Sequence, residues 1–380
     1  MNSKVSIIRC KNYDSPLVLE AVKKAIDLVG GITNFIRPGS KVLLKPNLLM
    51  SKGPESGIDT HPEVVRAAVK ILKEINCRIY LGDGPSVWGS RAENVDEVYE
   101  KSGMRKIADE EGIELVKFDK KGWRGKFPLT SWLDNCDYLV SLPKFKTHDF
   151  MTMTGAIKNL FGLIPGTYKT ELHKRHFEPE DFSGILVDIY EKARPCLTII
   201  DAIVAMEGDG PGSSGELRNT GLVLAGADCT ALDSILALIM GLQPRDILTT
   251  KEAAKRGLGV ADIDNILIVG EKLENIIEKP FKLPATSLPG RIPRPVIELV
   301  KKFIYFRPRV EHGNCILCGA CIQACPNKII SIKNKRIVFD YAKCISCFCC
   351  QEACPNSAIK VKKSIVAKMI NRIIDFKQGL

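Results

Sequence analysis

The chain has 380 residues, of which 45% are hydrophobic and 26% charged, with a formal net charge of +11. This length allows two or three domains, and the balance excludes a disordered or low-complexity protein. No run of 18 apolar residues is present, and Met1-Asn2-Ser3-Lys4 opens neither an h-region nor a cleavage site, so a soluble, cytoplasmic protein is expected.

From the N-terminus, short β-type runs alternate with helical periodicity. This predicts an α/β domain with a mostly parallel sheet over residues 1–278. Strands are expected at 4–9, 41–45, 78–82, 137–142, 197–200, 221–225 and 265–269, and helices at 16–28, 62–75, 91–102, 181–193 and 228–240. The second helix has a start signal, with Thr60 as N-cap, Pro62 in the first turn and Glu63 completing a capping box. Polar residues and glycines fall where strands should end, at Lys45-Pro46-Asn47, Gly82-Asp83-Gly84, Pro143-Lys144, Asp201 and Gly226-Ala227-Asp228. Singly each reads as a turn or cap; together they mark the ligand edge of an open α/β sheet.

The densest chemistry follows. Lys144, Lys146, His148, Lys158, His173 and His176 lie within about thirty residues. Lysines supply point charge and histidines a titratable proton, a combination suited to a carboxylate or phosphate. The plainer reading is a solvated basic loop. A metal on His148, His173 and His176 would rest on a lone His-x-x-His, a weak signal. Lys144, Lys146, His148, Lys158, His173 and Asp201 are the catalytic candidates. Glu207 to Gly215 is rich in glycine and reads as a turn or lid; it lacks Gly-Lys-Ser/Thr, so no nucleotide is inferred.

Pro280, Pro284, Pro289, Pro293 and Pro295 predict a stiff linker over 279–308, in which Val296 to Phe306 could seat a second domain. Basicity concentrates from here on. Residues 279–380 hold 19 Lys plus Arg against 5 Asp plus Glu, which leaves 1–278 at −3. An acidic redox partner or an anionic membrane surface suits this charge, whereas no motif supports nucleic-acid binding.

Nine of the 14 cysteines fall between Cys315 and Cys354. Cys315-x2-Cys318-x2-Cys321-x3-Cys325-Pro326 recurs 29 residues later as Cys344-x2-Cys347-x2-Cys350-x3-Cys354-Pro355. In this pattern three close thiolates hold one 4Fe-4S cubane and the fourth reaches the other. One cluster is then assigned to Cys315, Cys318, Cys321 and Cys354, and a second to Cys344, Cys347, Cys350 and Cys325. Zinc needs four ligands, not this doubled set of eight. Cys349 is surplus and reads as packing. Ile330, Ile332, Ile337 and Phe339 around Asn334-Lys335 predict a hairpin, and the segment resembles a two-cluster ferredoxin, a small α+β domain over 309–362. Two linked cubanes make a short electron wire, which implies a reducing compartment. Ile365, Val366, Met369, Ile370, Ile373 and Ile374 predict an amphipathic tail helix over 363–380, expected to dock on this protein's own core rather than contact a membrane.

Lys45-Pro46-Asn47, Thr60-His61-Pro62-Glu63, Pro143 to His148, Gly155-Ala156-Ile157-Lys158-Asn159-Leu160-Phe161-Gly162 and Asp201 through Pro211 together resemble domain-of-unknown-function family 362, over about residues 40–270. The motif order shows no obvious departure, and members of that family often carry a ferredoxin module at one end. The resemblance implies no reaction. Three functions stay open: an iron–sulfur redox enzyme acting on an anionic substrate or cofactor, a non-catalytic electron carrier or assembly factor docking on a partner protein, and a cluster-delivery protein.

Overall fold

Side-chain alternation along two central strands serves two cores at once. Val5, Ile7 and Leu43 enter one, whereas Ile8, Val42 and Leu44 enter the other. The computed structural model describes residues 3–88, 91–277, 279–287 and 303–370. Its main sheet has ten strands. Eight run across it in the order Ile266–Gly270, Ser3–Arg9, Gly215–Gly226, Leu197–Gly208, Tyr138–Leu142, Lys41–Pro46, Arg78–Leu81 and Glu114–Leu115. Gly215–Gly226 is antiparallel to both neighbours, and the other pairs in this row are parallel. Lys144–His148 pairs parallel with Leu197–Gly208 and antiparallel with Thr152–Thr154.

Helices Ser15–Val29 and Pro62–Glu74 cover one face; Pro179–Ala193 and Cys229–Ile239 cover the other. The helix at Pro62 is capped by His61, not by Thr60: the ring Nδ1 accepts the Glu63 N–H at 3.2 Å. Thr60 is occupied elsewhere. Its hydroxyl accepts the Asn47 N–H at 2.8 Å and donates to the Leu142 carbonyl at 2.6 Å, tying two strand ends together.

Two strands outrun expectation. Leu197–Gly208 and Gly215–Gly226 are each 12 residues long and form a hairpin arm, with the glycine-rich segment at its tip. Asp201 therefore lies inside a strand rather than at its end. Lys144–His148 was not among the expected strands, because Lys-Phe-Lys-Thr-His offers no apolar alternation, yet all five residues are buried.

The C-terminal module has two antiparallel pairs and two short helices, Ala320–Ala324 and Cys349–Glu352. Phe306–Val310 pairs with Ile359–Lys363. Ile330–Lys333 pairs with Arg336–Phe339 through Asn334 and Lys335 at φ 48° and 56°, the turn that hairpin twist favours. The module thus begins inside the expected linker. At the linker's other end, residues 279–287 pack on the large domain: Phe281 lies 5.0 Å from Phe145, and the Ala285 N–H donates to Asp209 Oδ1 at 3.1 Å. Residues 288–302, including most of the Val296 to Phe306 segment, and the tail beyond residue 370 lie outside the described residues. The tail is helical over 365–370.

Candidate functional site at the domain seam

The cysteine repeat is a repeat in three dimensions. Left-handed backbone occurs at Leu317, Gly319 and Lys328, and again 29 residues on at Ser346, Phe348 and Ser357. The Ile329 N–H points at Cys325 Sγ at 3.5 Å, and its counterpart Ala358 N–H donates to Cys354 Sγ at 3.2 Å. One small cavity is lined by Cys315, Cys318, Cys321 and Cys354 among apolar groups such as Val310, Ile337 and Ile359. Another is lined by Cys325, Cys344, Cys347 and Cys350 with Ile330, Phe339 and Phe348. Each set combines three thiols of one repeat with the fourth of the other. All-thiol donors in apolar surroundings, with N–H groups aimed at sulfur, fit iron–sulfur ligation.

A third cavity, of about 80 Å³, lies where the module meets the large domain. A single water needs roughly 10–15 Å³ on this measure, so a small polyatomic anion fits. The large domain contributes Asn47, Asp83, Lys146, His148, Thr154, Lys158, Lys169 and His173; the module contributes Ala324, Pro326, Cys349 and Glu352. The seam is sealed by apolar packing of Met50, Ile58 and Met206 against Ala324, Cys347, Cys349 and Ala353. Gln351 Nε2 reaches the Asp209 carbonyl at 3.2 Å and Lys52 Nζ the Pro355 carbonyl at 3.3 Å.

Cations dominate the large domain's wall. Lys45, beneath the cavity floor, is matched by Asp83 at 2.7 Å. Lys146 Nζ donates to the Ile58 carbonyl at 2.5 Å, and Lys169 Nζ donates to the carbonyls of Gly84 and Pro85. Lys158 has no hydrogen bond or ion pair among the described residues. Burial pulls Lys146 and Lys169 each down to about 7 and Lys158 to about 8, with carboxylates, Asp59, Asp83 and Glu352 respectively, opposing the shift.

The histidines are held neutral. Burial, reinforced by Lys158, pushes His148 well below its usual range, and His173 falls to about 3 for the same reasons. His148 Nδ1 accepts the N–H groups of Phe150 and Met151 at 3.1 and 3.3 Å, so its proton sits on Nε2, 3.3 Å from Glu352 Oε1. His173 stacks on Phe182 at 4.4 Å within a box that includes Phe150 and Phe161. Asn47 Oδ1, Thr154 Oγ1 and His173 Nδ1 are buried without a hydrogen-bond partner. Each such atom costs about 1–3 kcal/mol unless something meets it, and all three residues line this cavity.

The sequence matches the family described as Domain of unknown function (DUF362) over residues 42–237, and the 4Fe-4S dicluster domain over 314–365. The chain belongs to the DUF362 family. It is 31% identical over 318 residues to a thylakoid-associated protein of Synechocystis sp., covering 81% of this chain and 96% of that one. The chain is also similar to the lactate racemase apoprotein from Thermoanaerobacterium thermosaccharolyticum, at 15% identity and a TM-score of 0.39, covering 63% of this chain and 57% of that one. Among the described residues, no helix is long and apolar enough to cross a membrane.

The DUF362 motifs have physical reasons here. At Gly155 a Cβ would lie 2.2 Å from Asp233 Oδ1, the carboxylate that accepts the N–H groups of Ala156 and Ile157 at 2.6 and 3.1 Å. At Gly162 a Cβ would lie 2.2 Å from Asp83 Oδ1 and 2.5 Å from Lys45 Nζ. Gly155 thus admits the carboxylate that holds the Lys158 turn in place, and Gly162 admits the Lys45–Asp83 pair.

Of the six catalytic candidates, Lys146, His148, Lys158 and His173 share the cavity wall. Lys144 and Asp201 do not reach it. They pair at 2.8 Å inside the sheet, where Tyr13 Oη bonds both at 2.6 and 2.7 Å and the His61 N–H donates to Asp201 at 2.9 Å. The pair links the start of Lys144–His148 to the interior of Leu197–Gly208. His176 also lies apart, with Nδ1 2.6 Å from Asp181, so the three histidines do not converge. Among the described residues, no three His, Cys, Asp or Glu groups are placed to hold a single metal ion.

Lys169 and Glu352 escaped sequence reasoning as site residues, whereas Asn47 belongs to the ligand edge that the sequence marked. Lys169 stands in the polar run Tyr168–Arg175, where nothing separates it from surface lysines. Glu352 did carry a signal: its counterpart in the first repeat is Gln323, which is exposed, whereas Glu352 is buried.

Proposed function

We propose that this DUF362 protein is an iron–sulfur oxidoreductase. In this reading it carries two 4Fe-4S clusters, on Cys315, Cys318, Cys321 and Cys354 and on Cys344, Cys347, Cys350 and Cys325. It relays electrons from a redox partner protein to a small reducible organic anion, a substrate or cofactor bearing a carboxylate or phosphate group, in the seam cavity. The observation that carries the reading is the cavity's two-sided wall, lysines and histidines on one side and the second cysteine loop on the other. Cys349, between Cys347 and Cys350, and Pro326, next to Cys325, face it directly. The clusters, when bound, supply single electrons.

This chain's own residues then have separable tasks. Lys158 and Lys169 clamp the anion, and their depressed pKa values make binding couple to proton uptake. His148, kept neutral, holds its Nε2 proton toward Glu352, fixed there by two backbone N–H groups, and supplies a hydrogen bond. Glu352, which lines the cavity and whose carboxyl burial raises to about 7, is the candidate donor when a reduced ligand gains a proton. Thr154, Asn47 and His173 orient it through their free polar atoms. Burial of Lys146 and His148 beneath the module argues against the carrier reading, which needs those residues as an accessible docking surface.

The test is anaerobic purification with iron and sulfide analysis and mass spectrometry of molecules released on denaturation. About eight irons per chain with a released organic anion supports the proposal; about eight irons and no organic anion moves it to the electron carrier.

A further inference from the structure

On the module, two neighbouring segments carry cations and no acid. Residues 303–310 and 359–370 contain Arg307, Arg309, Lys360, Lys362, Lys363 and Lys368, and no Asp or Glu. None of the six forms an ion pair among the described residues. Apolar groups stand out beside them: Phe303 is 63% exposed, Tyr305 45%, Ile365 78% and Met369 60%.

The arrangement is ordered. Alternation along the first segment puts Phe303, Tyr305, Arg307 and Arg309 on one side, with Ile304, Phe306, Pro308 and Val310 turned inward. Arg307 lies over the Tyr305 ring at 4.8 Å. The Ser364 N–H donates to the Tyr305 carbonyl at 3.0 Å, which brings the start of the 365–370 helix against this row. Within that helix Ala367 packs inward on Ile304 and Phe306, so Ile365 and Met369, four residues apart, share the outward stripe.

We infer that this face docks peripherally on an anionic lipid surface. Aromatic and aliphatic side chains enter the interface while arginines and lysines meet the headgroups, the pattern of surface-bound elements that do not span. Charge complementarity decides the occupant: an all-cationic rim around exposed Phe, Tyr, Ile and Met suits a surface that is both apolar and negative. A second copy of this face would set cation against cation. The ribbon's inner residues Val310 and Ile359 line the first four-cysteine cavity, so docking places that cavity beside the membrane.

The test is co-sedimentation of the full chain, purified anaerobically, with vesicles of phosphatidylcholine alone or with phosphatidylglycerol added. Binding is expected only to the anionic vesicles and is released by salt. Lys362→Glu with Lys368→Glu should weaken it on the order of 25-fold, taking about fivefold per cation. Ile365→Glu with Met369→Glu should weaken it by about tenfold or more. Leu267→Glu, on the exposed edge of the large domain, should change nothing and reports on general damage. No binding to anionic vesicles, or unchanged binding by both double variants, overturns the inference. So does self-association, or vesicle-independent capture of an acidic redox protein, that the same variants abolish.

Discussion

His148 Nε2 lies 3.3 Å from Glu352 Oε1, across the seam between the large domain and the cysteine module. The contact joins the strand Lys144–His148 to the short helix Cys349–Glu352, the helix that follows the second cysteine loop. Because His148 Nδ1 is engaged by two backbone N–H groups, the ring cannot flip without losing both. His148→Ala should therefore loosen the seam by roughly 1–3 kcal/mol. Hydrogen exchange should show faster opening of residues 349–354, with iron content unchanged.

Lys169 makes the pH dependence of stability specific. Its amine titrates at about 7 in the fold and at about 10.4 in an unfolded chain. Between these values the unfolded chain holds a proton that the folded chain lacks, so this residue's contribution to stability rises as pH increases from 7 to 10. Anion affinity has the opposite slope, because the charged amines bind the anion. Thermal melts of the ligand-free protein should show the rise, and Lys169→Met should lessen it, leaving the share that Lys146 and Lys158 contribute.

Lys144 and Asp201 separate structure from site. Removing one charge of a buried pair leaves the other uncompensated, at about 3–5 kcal/mol. Lys144→Met should lower urea stability by that amount. Anion binding by the fraction still folded should be unchanged, since neither residue lines the cavity.

Gly162→Ala is expected to cost about 1–3 kcal/mol, since the new methyl meets both partners of the Lys45–Asp83 pair. The same substitution at Gly166, where nothing lies within 4 Å, meets no such obstacle and pays only for its φ of 58°. Comparing melts of the two variants isolates the packing effect.

Cys349 and Cys350 should part company on iron. Cys349 stands where the first repeat has Ala320, outside both four-cysteine sets, so Cys349→Ala should keep the iron of the wild type. Cys350→Ser should lose about half of it. Iron analysis after anaerobic purification reads both.

How much of this was legible in the sequence depends on whether the deciding pattern was local. The cysteine repeat was: spacing alone grouped the eight thiols as the two cavities group them, and Asn334-Lys335 marked the hairpin. The parallel strands were legible from apolar runs such as Val42-Leu43-Leu44. Lys144–His148 was not, because a buried strand of charged residues is stabilised by distant partners, among them Asp201, Tyr13 and the Ile58 carbonyl. For the same reason sequence proximity grouped Lys144 with Lys146, although a break in the strand register between them, Lys144 opposite Asp201 and Lys146 opposite Met206, sends the two amines to different partners. The seam cavity is the least local feature of all. Lys158 is nearly two hundred residues from Cys349 and Glu352, and only the docking of the module brings them onto one wall.

The most direct test of the account compares the wild type with Lys158→Ala, both purified anaerobically and denatured for mass spectrometry of released small molecules. The account predicts a near-stoichiometric small anion from the wild type, its loss from the variant, and the same iron content and visible spectrum in both. An anion retained equally by the variant, or none released from either protein, would contradict it.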